Sequence, residues 1–319
     1  MKAAVLHEIG GVPRYEDFPD PIPGDDEIVL EVKAVAVENV DKAIAAGRHY
    51  TAARYLSELP MIPCFDGAGA LPDGTIVGFA NPRAPYGALA EQTVVPAGNL
   101  GPIPEGLDPA AAVTLTSAMP TVCAFAAAGF TAGETVLIQG ATGVAGRLAV
   151  KIARLMGAGR IVATGRDGAA LHEITALGAD SVITTAVSDD ELRRQFTDAK
   201  ESGYDVVVDF LWGRPTEILL STLIPDSFAL PTPIRLVQIG ESAGPTATIS
   251  AEALRTSGVE IYGAARNADP AAIGAGYLQV VEWARDGRLT FEIEQVPLTE
   301  VETAWQRTDL RGKRLVVTP

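Results

Sequence analysis

From about residue 115 onward, the apolar positions fall into short continuous runs separated by segments with helical spacing. The runs are 135–139, 161–164, 181–184, 206–209, 236–240 and 259–263. Each is four or five residues long and rich in Val, Ile and Leu, the pattern of a strand buried on both faces. Between them, 143–156, 169–177, 189–200 and 216–224 read as helices, two of them closed by a glycine, Gly157 or Gly178. A further helix is predicted at 120–128. Six apolar strands alternating with helices predict a parallel sheet covered on both sides, of the doubly wound dinucleotide-binding kind.

The first ~110 residues follow another pattern. Short β-rich runs such as 27–35 are punctuated by Pro and Gly at 19–24, 60–63, 72–74, 82–87 and 102–106. They predict a compact, barrel-like β domain. The last ~50 residues contain a helix at 270–285 and a tail ending in a strand at 314–317, expected to return to the N-terminal domain. The expected domains are therefore 1–115 with 265–319, and 116–264.

Composition narrows the function classes. The chain has 319 residues, 47% hydrophobic and 20% charged, the balance of an ordinary globular protein. No apolar run reaches the roughly 18 residues that a membrane helix needs, and the first residues read as a strand rather than a secretory signal. A net charge of −15 disfavours nucleic acid and anionic membrane as partners. Two cysteines, Cys64 and Cys123, imply no disulfide framework, and a cytoplasmic setting is expected.

The chemistry concentrates in Gly140-Ala141-Thr142-Gly143-Val144-Ala145-Gly146, which follows the first apolar strand and opens a helix. A dinucleotide pyrophosphate must approach backbone N–H groups at a helix N-terminus, and a side chain at the tight turn would block it. Gly146 is expected to let the helix pack closely on the strand. The second strand ends in Thr164-Gly165-Arg166, where binders of the unphosphorylated cofactor carry an acid for the ribose 2′-hydroxyl. A guanidinium there suits a 2′-phosphate, so NADPH is the expected cofactor. The other reading makes Arg166 a solvated loop charge and gives the ribose contact to Asp167. Ile239 and Gly240, at the end of the fifth strand, are expected against the cofactor. The sequence Gly240-Glu241-Ser242-Ala243-Gly244 matches a nucleophile elbow, but all three histidines (His7, His49, His172) precede it, which argues against a serine hydrolase.

A glycine turn this far along the chain, behind a β-rich domain, resembles the medium-chain dehydrogenase/reductase superfamily. More narrowly, the chain is similar to its zinc-independent quinone oxidoreductase (zeta-crystallin-like) branch. The resemblance runs through 35–41, 62–69, 87–91, 133–138 and 312–316. Within these, Glu38, Asn39 and Cys64 depart from the branch's usual Asn, Pro and Gly. The resemblance implies an α/β fold: a GroES-like β-barrel domain plus a Rossmann doubly wound parallel sheet. It also implies candidate residues. Tyr50 would be a phenol donor near the nicotinamide. Asn39 and Asp41 would lie in the substrate segment, Asp41 also being readable as a helix cap. Lys313 or Arg314 would touch the cofactor, either also being readable as a solvent-facing charge.

No metal is expected. There is no Cys-x-x-Cys, and two cysteines with three histidines fall short of the usual zinc sets. The expected activity is hydride transfer from NADPH to a small electrophile, a quinone or an α,β-unsaturated carbonyl. Reduction of a 2-enoyl thioester, or cofactor binding without catalysis in a sensor or structural protein, are the alternatives. A homodimer pairing through the edge at 259–263 is expected.

Overall fold

The strand expected at the N-terminus is β1 (Lys2–Val5), which pairs antiparallel with β2 (Arg14–Asp17). The organising element of this part of the chain is the 11-residue β3 (Glu27–Val37). After β3 come α1 (Asn39–Ala45), α2 (Ala52–Tyr55), β4 (Asp66–Ala70), β5 (Ile76–Ala80), β6 (Gln92–Pro96), β7 (Leu100–Pro102) and α3 (Pro109–Ala112). The structure is a computed structural model that describes residues 1–200, 203–227, 231–266 and 269–319.

The second series begins with α4 (Met119–Ala128) and β8 (Thr135–Gln139) and continues through α5 (Val144–Leu155), β9 (Arg160–Gly165), α6 (Gly168–Ala176), β10 (Ser181–Thr184) and α7 (Asp189–Lys200). It is completed by β11 (Val206–Asp209), α8 (Gly213–Thr222), β12 (Ile234–Gln238), α9 (Ala251–Thr256), β13 (Val259–Gly263) and α10 (Pro270–Arg285). The chain ends with β14 (Ile293–Pro297), α11 (Val301–Trp305) and β15 (Arg314–Thr318).

These elements form two units, Met1–Leu115 with Phe291–Pro319, and Thr116–Thr290. In the first, the strand order is β14-β15-β3-β4-β5-β7, with β6 also on β3. β6 covers 27–31 of β3 and β15 covers 35–37, while β4 pairs across a bulge at Val32/Ala34. All pairings are antiparallel except β14 with β15. Among the described residues no pairing joins β14 to β7, so this is a branched sheet rather than a closed ring. Its core collects Leu6, Leu30, Val35, Ile62, Leu89 and Val317, all essentially without solvent contact. Within the segment 62–69, strand β4 begins at Asp66.

In the second unit, six strands run parallel in the order β10-β9-β8-β11-β12-β13. That is the 3-2-1-4-5-6 order of a doubly wound sheet. β8, β9 and β11 are buried almost throughout, as their unbroken apolar runs require.

Two expectations need correction. The segment 265–290 belongs with the second unit, because α10 packs on α4. A Cβ at Gly276 would come within 2.6 Å of Val122 Cγ1, so the glycine permits the close approach. In addition, the 20 residues Pro109–Ala128 are by length and composition apolar enough to cross a membrane. They are divided among α3, a 3₁₀ turn at Leu115–Ala118 and α4, and about half of the stretch is buried inside the protein.

Candidate functional site

Gly140 leaves β8 at φ +85°, and a Cβ there would meet Leu211 Cδ2 at 2.9 Å. Its N–H donates to Thr164 Oγ1 at 3.1 Å, and the Ala141 N–H donates to the Thr164 carbonyl at 2.8 Å. Thr164, fully buried, thus ties the turn to the end of β9. Thr142 and Gly143 follow. Gly143 precedes α5 in extended conformation and its carbonyl accepts the first intrahelical bond, from Arg147 N at 2.9 Å. No side chain caps this end, so Val144 and Ala145 present N–H groups with no side-chain acceptor. A Cβ at Gly143 would find only Gly140 O, at 3.9 Å, whereas one at Gly146 would lie 2.2 Å from Gly140 O. Open space over Gly143 and contact under Gly146 are what a phosphate cradle on a helix N-terminus needs.

At the end of β9, a Cβ on Gly165 would lie 2.5 Å from Thr142 Cγ2, so the glycine lets the two loops touch. Arg166 is exposed and makes no ion pair among the described residues. Asp167, the alternative ribose contact, is committed elsewhere: it N-caps α6, accepting from Ala169 N at 2.8 Å.

The neighbouring loops rest on a buried network. Asp209 Oδ1 accepts from Leu211 N at 2.8 Å and Trp212 N at 3.0 Å, and Oδ2 accepts from Thr216 Oγ1 at 2.6 Å. Gln139 Nε2 donates to Thr216 Oγ1 at 3.0 Å. These bonds hold Trp212 at φ +54°, ψ −163°, a region nearly closed to residues other than glycine. Burial raises the Asp209 carboxyl above its ordinary value against these three donors. The Asp209 carbonyl accepts from Ile239 N at 2.8 Å and Gly240 N at 3.2 Å, which fixes both beside the turn after β11. Ser242 of the elbow-like sequence donates from Oγ to the Phe210 carbonyl at 2.9 Å, a structural link.

The remaining candidates lie in the first unit and are not gathered together. Tyr50 is 91% exposed, its ring 4.3 Å from that of His49, and its hydroxyl has no partner among the described residues. Asn39 is the exposed first residue of α1. Lys313 pairs with Glu294 at 3.6 Å. Asp41 is 2% exposed; Oδ2 accepts from Glu38 N at 2.7 Å in the capping role, while Oδ1 has no hydrogen-bond partner. Asp41 and the departing residue Cys64 line one pocket, which also includes Leu6, Ile44, Tyr55 and Met61. Cys64 sits at φ +65°, a backbone conformation that suits the glycine expected there from the resemblance better than a residue with a Cβ.

The sequence assigns no site role to Thr164, Asp209, Thr216 or Tyr55. Thr164 was visible as the residue standing where an acid is usual, and Asp209 as an acid ending an all-valine run. Nothing local marks Thr216 or Tyr55.

The model of a family described as zinc-binding dehydrogenase matches residues 177–314. A protein described as "Probable NADPH-dependent quinone reductase tdiC" from Emericella nidulans is 26% identical, over 96% of each chain. The NADPH-dependent alkenal/one oxidoreductase, chloroplastic, of Arabidopsis thaliana is 29% identical over 66% of this chain and 57% of its own. The solved quinone oxidoreductase of Thermus thermophilus, also studied in complex with NADPH, superposes with TM-score 0.77 at 29% identity and full coverage of both chains. With the strand order and glycine turn above, these make the chain similar to quinone oxidoreductases of the medium-chain dehydrogenase/reductase kind.

Proposed function

We propose that this protein is an NADPH-dependent reductase acting on a quinone or an α,β-unsaturated carbonyl. The observation that carries the reading is the uncapped N-terminus of α5 beneath the open face of Gly143, with the uncommitted Arg166 at the end of β9. Backbone N–H groups of Val144 and Ala145 would hold the pyrophosphate, and Arg166 the 2′-phosphate. Thr164 keeps the turn in register, and Asp209 keeps the adjoining loops in place. When bound, NADPH supplies the hydride. The names of the relatives from Emericella, Arabidopsis and Thermus agree with this substrate class.

Zinc independence is part of the proposal. The chain has two cysteines and three histidines, and no cluster of three or more His, Cys, Asp or Glu capable of holding a metal occurs among the described residues. The setting is proposed to be cytoplasmic, in keeping with two free cysteines. A homodimer pairing through β13, the edge of the six-stranded sheet, completes the reading; a monomer in light scattering would contradict that part.

The deciding assay follows nicotinamide absorbance with a simple quinone and a simple enone, NADPH and NADH in parallel, with and without a zinc chelator. Consumption of NADPH in preference to NADH, indifferent to chelator, is expected. NADPH binding without consumption on either substrate would refute the reductase reading in favour of a sensor. Loss of activity on chelation would refute zinc independence.

A further inference from the structure

Arg147 closes the first turn of α5, directly after Gly146, and is only 5% exposed. A cation is doubly disfavoured there. The helix N-terminus already carries positive partial charge, and burial strips water from the guanidinium. Arg154, two turns along the same helix face, makes the contrast. It donates to the Gly178 carbonyl at 2.7 Å, just past the end of α6, and to the Ala158 carbonyl at 3.0 Å, and it pairs with Asp180. The carbonyl end of a helix favours a cation, so stability alone accounts for Arg154. It does not account for Arg147. What Arg147 holds is the glycine turn. Its Nε donates to the Thr142 carbonyl at 3.4 Å, and its Nη2 pairs with Glu173 on α6. Thr142 also meets α6 through Gly165: a Cβ there would stand 2.5 Å from Thr142 Cγ2 and 3.0 Å from Leu171 Cδ2. One guanidinium thus joins the turn after β8 to α6, whose N-cap Asp167 directly follows Arg166.

We infer that Arg147 is a positioning residue for cofactor selection: its link to Glu173 fixes the spacing between the α5 N-terminus and Arg166, so that one NADPH molecule engages both. The inference rests on the NADPH reading above. Arg147 acts through Thr142 and Glu173 and is not itself assigned a phosphate. Two contacts made by one ligand behave as linked binding events. Their joint strength is lost when the spacing is wrong, although each contact survives by itself. NADH has no 2′-phosphate and uses only the α5 contact, so the spacing gives it nothing. The link also needs an arginine. Its planar fork serves two acceptors in fixed directions, whereas lysine is a point charge on a flexible stem.

The test measures binding to the full chain by calorimetry and ligand-observed NMR, without any acceptor substrate. The ligands are NADPH, NADH, ADP-ribose (pyrophosphate without 2′-phosphate) and 2′-AMP (2′-phosphate without pyrophosphate). Arg147→Met should bind NADPH about tenfold more weakly, within the loss that a displacement near 1 Å brings. NADH, ADP-ribose and 2′-AMP should stay within about threefold of the parent, because each needs only one contact. Glu173→Leu breaks the same link from a largely exposed position and should reproduce that split even if Arg147→Met folds poorly. Arg147→Lys should resemble Arg147→Met. Arg154→Met should lower the melting temperature and leave the preference for NADPH over NADH unchanged. The inference is overturned by equal losses of NADPH and NADH in Arg147→Met, by parental NADPH affinity in Glu173→Leu, by full recovery in Arg147→Lys, or by the same split in Arg154→Met. Each of these leaves the NADPH reading standing if the parent binds NADPH; a parent that does not bind it overturns both.

Discussion

Gly143 and Gly146 stand three residues apart in the same turn, yet the structure assigns them opposite consequences when a methyl group is added. At Gly146 the new Cβ would lie 2.2 Å from Gly140 O and 2.6 Å from Ala141 Cα, both backbone atoms, where ordinary contact begins near 3.4 Å. The start of α5 must then retreat from the turn by roughly 1 Å. Overpacking of this kind costs about 1–3 kcal/mol, offset in part by about 1 kcal/mol of helix propensity gained by Gly→Ala. A displacement near 1 Å at a binding element lowers function by up to about a hundredfold. At Gly143 the new Cβ meets nothing closer than 3.9 Å, and φ −78° suits alanine. Gly143→Ala should therefore melt within about 1 kcal/mol of the parent, yet bind NADPH at least about tenfold more weakly, because the methyl group occupies the phosphate approach. Urea melts and NADPH fluorescence titrations on both variants make the comparison. If Gly143→Ala binds NADPH as the parent does, the cradle is misassigned. If Gly146→Ala loses neither stability nor affinity, the steric argument for α5 fails.

Three further outcomes are expected. Arg166→Ala should weaken NADPH binding by about ten- to a hundredfold and leave NADH binding and the melting temperature unchanged, since Arg166 is exposed and unpaired; equal losses for both cofactors would remove it from the 2′-phosphate. Asp209 has a raised folded value, so the folded state holds its proton longer than the unfolded chain, and its contribution to stability falls as pH rises from about 4 through that value. The stability of Asp209→Asn relative to the parent should rise across that window in urea melts, and parallel pH profiles would contradict the assignment. Cys64→Gly should be at least as stable as Cys64→Ala, because φ +65° strains any Cβ by about 1–2 kcal/mol; an alanine variant clearly the more stable would show that the backbone there carries no strain.

What the sequence determined by itself is the second unit's framework. The runs at 135–139 and 206–209 coincide with β8 and β11, because a strand buried on both faces has few polar positions to blur its limits, and those at 181–184 and 259–263 match β10 and β13, the partly exposed edges of the sheet. The glycine turn was legible for a related reason: backbone approach to phosphate demands missing side chains at fixed spacing, and that demand is local. The fifth strand, expected at 236–240, runs instead over Ile234–Gln238; beyond it, Ile239 and Gly240 turn their N–H groups to the Asp209 carbonyl. Tertiary structure alone decided the rest. Helix α10 was readable to its ends, but its pattern does not say which surface it meets, and contact with α4 placed it in the second unit. Gln139 and Thr216 are 77 residues apart and bond only because β8 and β11 are neighbours in the sheet. Asp41, Tyr55 and Cys64 meet in one pocket because the sheet and helices of the first unit bring three separate segments to one place. Tyr50, the phenol that the resemblance points to, is largely exposed with its ring against His49, an exposure that its local sequence does not announce. Periodicity records how each segment is buried; which side chains share an enclosure depends on contacts between segments, which no local pattern encodes.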